Sequence, residues 1–298
     1  MKVNAYLYPN PPLEGETLVN LWGDKFKMKN KPFLELEFIG FKKGKYEIEI
    51  SEPIKIRKQI TIKKEIEKIS LFSKEFENPK LSKICVKIKS KKFYEEYELN
   101  LRVHKIYGRV TDFDNNPLSA YLWHKTIVKA DENGKFVFYY PEGKILRLFV
   151  CDNRYSKETL ECWIVCNFLR SDLKINPKVG NFEIYDLNVW FSANYYFAFF
   201  IPASLRLLKL EKELKWKKTF PPILKKDEVK VFINEKEMEI KNFIEIPTKW
   251  KVYWPSYLLW IKSIRHKKPT IFRVLVDSEE KGIGEAYYIL YETGYEGF

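Results

Sequence analysis

Residues 97–104 read Tyr97-Glu98-Leu99-Asn100-Leu101-Arg102-Val103-His104, and this alternation of apolar and polar side chains decides the fold. Successive side chains of a β-strand point to opposite faces, so such a run buries one face and wets the other. The pattern recurs upstream. Leu34, Leu36 and Phe38 alternate with Glu35 and Glu37; Tyr46, Ile48 and Ile50 alternate with Glu47 and Glu49; Ile84, Val86 and Ile88 alternate with Cys85 and Lys87. Turn signals at Pro9 to Pro12, Gly40, Lys43-Gly44 and Asn78-Pro79 separate the runs. Seven or eight short strands at this spacing predict an immunoglobulin-like sandwich over residues 1–105. Lys63 to Lys68 has room for one helical turn.

Composition points the same way. Aromatic residues make up 16% of the 298, a bias that suits pleated, half-buried surfaces. Hydrophobic residues at 45% are ample for packed cores. A single Gln among abundant Lys, Glu and Ile resembles the composition of heat-adapted proteins. The length suits two or three domains of about 100 residues. No apolar run approaches the ~20 residues of a membrane helix; the richest stretch, 189–210, is broken by Ser192, Asn194, Pro202, Ser204, Arg206 and Lys209. The amino terminus lacks an apolar leader region, which places the chain in the cytoplasm as written, or at the surface or outside the cell if a leader has been trimmed.

The formal net charge is +13. Residues 1–105 carry roughly +8, residues 106–190 about zero and residues 191–298 roughly +5. Lysines supply most of it, alternating with apolar residues as on solvated sheet faces that discourage edge pairing. Arg-rich clusters and a recognition module are missing, so nucleic acid is not the expected partner.

Residues 106–150 carry a second pattern. Ile106-Tyr107-Gly108-Arg109-Val110-Thr111-Asp112 leads through Asn115-Asn116-Pro117-Leu118-Ser119-Ala120 to Ala130-Asp131-Glu132-Asn133-Gly134-Lys135-Phe136-Val137-Phe138, then Pro141-Glu142-Gly143 and Leu146 to Val150. Asn and Asp tolerate left-handed turn geometry and Pro fixes φ, so 112–117 reads as a tight turn and 131–134 as a bulged hairpin, with Phe136 and Phe138 facing the core. The segment 106–170 resembles the carboxypeptidase regulatory-like domain, a small transthyretin-like sandwich. Ala130 stands where that family has threonine, and Arg154 where it has glycine. The resemblance implies a non-catalytic module; no peptidase domain accompanies it.

Strands resume beyond Leu173: Phe182 to Leu187, Trp190 to Ile201, Val229 to Ile233, Phe243 to Ile246, Lys251 to Trp254, Ile271 to Val276 and Ala286 to Tyr291. In 205–216, Leu208, Leu210, Leu214 and Trp216 keep period 2 while Leu207, Leu210 and Leu214 would also line a helix; strand or hairpin is the reading here. The whole is therefore all-β: tandem antiparallel sandwiches divided as 1–105, 106–190 and 191–298.

No catalytic constellation stands out. His104, His124 and His266 are far apart, and no nucleophile elbow, P-loop or dinucleotide fingerprint is present. Gly282-Ile283-Gly284 reads as a loop before a strand. Asp112 to Asn115 lacks the glycine and distal glutamate of a calcium loop. The spacing of Cys85, Cys151, Cys162 and Cys166 matches no metal site; Cys162 and Cys166 share a strand face as small hydrophobes, and Cys85 sits beside Lys83 and Lys87, which would lower its thiol pKa. No cofactor is implied, and no motif sets an oligomeric state.

The stretch that points to a ligand is aromatic: Trp250, Tyr253, Trp254, Tyr257 and Trp260 within eleven residues. Rigid rings stack on sugars, and Pro255 would end the strand after Trp254. The primary expectation is a non-catalytic scaffold with a protein partner. A carbohydrate-binding protein using these aromatics is the alternative, and polyanion binding through the lysine-rich outer segments a weaker one.

Overall fold

Nine strands occupy residues 2–100: β1 (Lys2–Tyr8), β2 (Leu13–Val19), β3 (Lys25–Asn30), β4 (Phe33–Ile39), β5 (Gly44–Glu52), β6 (Ile56–Ile62), β7 (Ile66–Phe72), β8 (Lys83–Ser90) and β9 (Phe93–Asn100). They belong to a computed structural model that describes residues 1–19, 24–52, 54–213, 222–249, 253–262 and 269–291. The sheet β1-β4-β7 packs on the sheet β6-β5-β8-β9. Leu34, Leu36 and Phe38 from one interleave with Ile48, Ile50, Val86 and Ile88 from the other. The alternation read in the sequence thus marks the inward faces. The expected helical turn at 63–68 is absent; β7 begins at Ile66 and pairs with β4 along its length. β4 departs from its expected wet face, because Glu35 and Glu37 are buried as well. The next segment covers that face, and Lys125 and Lys68 meet the two carboxylates at 2.7 and 3.2 Å.

Strands β2 and β3 leave this sandwich as a separate hairpin and lie on the following segment, where Leu18 and Met28 pack against Tyr121 and Cys151. Asn10 fastens the junction. Its Nδ2 donates to Thr126 Oγ1 at 2.6 Å and to the Tyr139 carbonyl at 2.9 Å, and its Oδ1 accepts from the Tyr139 N–H at 2.7 Å. Asn30 Nδ2 donates in turn to the carbonyls of Asn10 and Pro11. Tyr8 and Phe33 stack at 4.5 Å and join the core of the next segment beside Tyr140.

That segment supplies β10 (Val103–Arg109), β11 (Tyr121–Trp123), β12 (Ile127–Lys129), β13 (Lys135–Pro141), β14 (Leu146–Cys151), β15 (Cys162–Cys166) and β16 (Leu173–Lys174). The turn at 112–117 forms as read: Asp112 accepts from the backbone and side-chain nitrogens of Asn116, and Asn115 has a φ of +68°. Asp131 Oδ1 likewise accepts from the N–H groups of Asn133 and Lys135, with Gly134 at φ +75°. A Cβ on Gly134 would lie 2.2 Å from the Val110 carbonyl, so glycine is required there.

The remaining elements are β17 (Phe182–Ser192), β18 (Tyr195–Ser204), α1 (Leu205–Glu213), β19 (Val229–Ile233), β20 (Lys236–Met238), β21 (Ile240–Lys249), β22 (Tyr253–Lys262), β23 (Thr270–Ser278) and β24 (Gly282–Leu290). The stretch 190–201 is two strands joined at Ala193-Asn194, both with positive φ. Residues 205–213 form a helix, contrary to the strand expected from their alternation. Leu, Arg, Lys and Glu are all good helix formers, and neither β-branched nor aromatic residues interrupt them. Gly282 and Gly284 open β24 rather than a loop. A Cβ on Gly284 would meet the Phe182 carbonyl at 1.8 Å, so the glycine lets two backbones touch. Pro255 does not end β22. There β22 has run past β18 and pairs with β21 alone, so no neighbour asks for the missing N–H.

Three layers result. The central sheet runs β12-β11-β14-β15-β24-β23-β19-β20. Sheet β13-β10-β16 covers one face around Ile106, Phe138, Leu148 and Ile164. Sheet β17-β18-β22-β21 covers the other around Phe200, Leu259, Phe272 and Val274. The protein is all-β apart from one α-helix among the described residues, and the positions 105/106 and 190/191 fall inside β10 and β17. Among the described residues no helix is long and apolar enough to cross a membrane.

Substituting Asn10→Ala should cost about 2–3 kcal/mol, because the Tyr139 N–H and the Thr126 hydroxyl lose their buried partner. Urea denaturation would measure it; a loss within ~0.5 kcal/mol would show that the junction does not depend on the Asn10 hydrogen bonds.

Candidate functional site

Of the aromatic residues expected to bind ligand, Tyr257 and Trp260 are sent to opposite faces of one strand. Trp250 lies outside the described residues. Tyr253 and Trp254 open β22. Tyr257 is fully buried, its hydroxyl accepting from the Leu224 N–H at 2.7 Å. Trp260 is placed by the register on the outer face of its sheet, because Leu259 and Ile261 point into the core.

On that outer face Trp260 acquires neighbours the sequence did not announce. Cross-strand register aligns Trp190 with Phe197 and Phe197 with Trp260. Trp190 and Phe197 stack with centroids 5.5 Å apart and planes 12° apart; Trp260 meets Phe197 edge-on at 5.4 Å, and Tyr195 flanks Trp260 at 6.3 Å. Trp190 is 40% exposed, the others half-buried against each other. Asn242 extends the row beside Trp260, whose Nε1 has no hydrogen-bond partner among the described residues.

A second arrangement lies on the central sheet. The hairpin β2–β3 and strand β17 stand on the same face, and a cleft of about 240 Å³ remains between them. Register sets Trp123 beside Phe149 and Phe149 beside Trp163, so the floor is a cross-strand row. Five rings run in sequence, Phe26, Trp123, Phe149, Trp163 and Tyr185, with adjacent centroids 4.5–5.9 Å apart. Glu161 is the charged residue of the lining, and Glu183, fully buried, sits behind it with Oε1 accepting from Trp163 Nε1 at 2.7 Å.

Burial raises both carboxyls. Glu161 is pushed from the ordinary 4.5 up to about 7, an effect eased by Tyr155, Trp163 and Glu183 around it. Glu183 is driven well above the usual carboxylate range by burial and then by the nearness of Glu161. Burial thus favours the protonated form of both carboxyls.

The other reactive groups are separated. His104 sits between Glu142 and Asp172 at 3.5 and 3.6 Å. His124 is pushed down to about 4 by burial and lies against Tyr140, and His266 is outside the described residues. All four cysteines are free thiols. Cys162 and Cys166 share one buried face of β15. The thiol of Cys85 donates to Glu96 at 2.9 Å and is pushed up, above all by that bond and then by burial; Lys87 lowers it as expected but is outweighed, so the net shift is upward.

No family model and no curated protein matches the chain. Among solved structures it is similar to a DUF3823 family protein from Parabacteroides merdae ATCC 43184, at 15% identity over 63% of this chain and 98% of that one, with a TM-score of 0.25. A DUF3823 family protein from Bacteroides ovatus ATCC 8483 is similar at 10% identity over 63% and 98% of the two chains, TM-score 0.23. A protein from Bacteroides uniformis ATCC 8492, described provisionally as carbohydrate binding, is similar at 10% identity over 63% and 99%, TM-score 0.23. At TM-scores this low none of them assigns a ligand to this chain.

The Glu161 proton gives the site a pH signature. The unfolded chain releases it near 4.5 and the folded chain near 7, so the folded state binds more protons in between. Its contribution to stability is full below about pH 4.5 and is lost as the pH rises through about 7. Between roughly pH 5 and pH 8 the wild type should lose on the order of 3 kcal/mol more than Glu161→Gln in urea denaturation. Parallel pH profiles for the two proteins would show that Glu161 is not the titrating group.

Proposed function

We propose that the protein is a non-catalytic binding protein, a rigid β-scaffold that engages a polysaccharide through the outer face of the sheet β17-β18-β22-β21. The observation that supports this reading is the row Trp190, Phe197 and Trp260, three large rings aligned across three strands on a face the core does not use. Aromatic faces and edges stack on the apolar sides of sugar rings, and Asn242 and the Tyr195 hydroxyl at the row's margin can bond sugar hydroxyls. The rings lean on one another instead of lying flat, which suits a chain gripped at Trp190, the exposed end of the row. The likeness of residues 106–170 to the carboxypeptidase regulatory-like domain belongs to the same proposal, as the middle module from which the recognition sheet is hung.

Titration of tryptophan fluorescence with neutral polysaccharides, acidic polysaccharides and DNA, at low and high salt, tests it. A saturable shift with a neutral glycan that survives salt is expected, and Trp190→Ala with Trp260→Ala should weaken it about tenfold or more. Binding that collapses with salt would instead mark the lysine-rich faces as a polyanion surface. No response to any glycan would leave the scaffold with a protein partner as the function.

A further inference from the structure

We propose that the cleft between the hairpin β2–β3 and strand β17 binds a small organic cation, an ammonium group with apolar substituents, seated on the aromatic floor against the Glu161 carboxylate. This site is separate from the aromatic face of the outer sheet and does not depend on its role.

The first argument is charge. Six acidic side chains are buried among the described residues: Glu35, Glu37, Asp152, Glu161, Glu183 and Glu285. Four of them meet a cation of the protein: Glu35 with Lys125 at 2.7 Å, Glu37 with Lys68 at 3.2 Å, Asp152 with Arg154 at 2.6 Å and Glu285 with Arg273 at 3.3 Å. Glu161 and Glu183 have none among the described residues, and they are the two that stand at the cleft. A buried carboxylate without a counter-charge is costly, and the protein supplies one everywhere else. Here the open space in front of Glu161 is where the missing cation would go.

The second argument is the lining. Ring faces attract cations through their quadrupoles, most strongly where water is excluded, and several faces around one acid form the standard receptor for alkylated ammonium. Trp123, Phe149 and Trp163 supply the floor, Phe26 and Tyr185 the ends. A polyhydroxylated ring fits poorly, because the lining is almost wholly apolar and would leave hydroxyls unpaired. A volume of about 240 Å³ falls below the ~300–1,000 Å³ of drug-sized ligand sites and suits a small headgroup.

Proton linkage makes the claim sharp. The groups facing the pair are Tyr155, Tyr185 on β17, Trp163 on β15 and Cys151 on β14. Burial holds both tyrosines and the thiol in their neutral forms. The hairpin contributes Leu18, Phe26 and Met28, none of them ionisable, and Asp152 beyond Cys151 is engaged by Arg154. Glu161 is thus the group that changes charge near neutrality. A cation must displace its proton at low pH and finds a carboxylate at high pH, so affinity rises through about pH 7.

Tetramethylammonium chloride and its neutral counterpart in shape, tert-butanol, are the probes, read by tryptophan fluorescence on the full chain. Saturable binding of tetramethylammonium is expected, about tenfold tighter near pH 8 than near pH 6. No binding of tert-butanol should appear at matched concentration. Glu161→Gln should abolish both the binding and its pH dependence, and Phe26→Ala, on the cleft wall, should weaken binding without touching the pH profile. Trp190→Ala should leave the tetramethylammonium affinity and its pH dependence unchanged, which keeps this outcome apart from that of the glycan face. Equal binding of the two probes, pH-independent binding, or no binding by a wild type whose melt is cooperative would each overturn the proposal.

Discussion

The parallel pairing of β15 with β24 is the contact on which the architecture rests. Trp163, Ile164, Val165 and Cys166 align with Ala286, Tyr287, Tyr288 and Ile289, joining strands more than a hundred residues apart. Without it β11, β12, β14 and β15 would be a small sheet with an open edge, and β19, β20, β23 and β24 another. Joined, they form one sheet buried on both faces, and two of the three large cores are built on it. Tyr287 and Ile289 enter one core while Ala286 and Tyr288 enter the other. Strand alternation, elsewhere a division between protein and water, is here a division between two interiors.

The seam is fixed by polar groups as well as by packing. Glu285 is almost wholly buried beside the pairing strands. It accepts from the Tyr287 hydroxyl at 2.7 Å and the Lys178 N–H at 2.8 Å, and Arg273 faces it at 3.3 Å. Burial still raises its pKa, so desolvation outweighs the guanidinium. Such a cluster adds little net stability. It does penalise any one-residue slip of β24, which would carry Glu285 into an apolar core and strand Arg273. Gly284 acts in the same sense through steric fit, since only a missing Cβ lets β24 pass the Phe182 carbonyl.

Much of this was legible in the sequence, and what was not has identifiable causes. Period-2 runs report which side chains turn inward, so Leu34, Ile48, Val86 and Phe138 were placed from spacing alone. Turn chemistry likewise disclosed Asp112 to Pro117 and Asp131 to Gly134, because local side-chain bonds create those turns. Alternation misled over 205–213, where propensity decided for a helix and, of residues 205–211, only Leu205 is buried. It also overstated the wet face of β4, since the alternation of Glu35 and Glu37 is blind to lysines ninety residues away. Tyr257 looked like a ligand-binding ring because a single sequence does not show which face of a strand lies inward. The partners of Trp260 came from β17 and β18, and nothing near residue 260 signals them.

The cleft was illegible for a deeper reason, and that reason also bears on how the first segment relates to the rest. Its floor comes from β11, β14 and β15, its far wall from β17, and its near wall from β2 and β3. Each piece reads as ordinary sandwich material. The near wall exists only because the hairpin leaves its own sandwich and lies on a neighbour's sheet, held by the hydrogen bonds of Asn10 and Asn30. An independent domain on a linker would have no such fastening, and its motion would open and close the space in front of Glu161. Bound through Asn10, Tyr8 and Phe33 instead, the first segment becomes a structural part of the cleft. The first segment and the aromatic cleft are therefore packed together, and a loss of packing at the Asn10 junction would change the environment of Trp123.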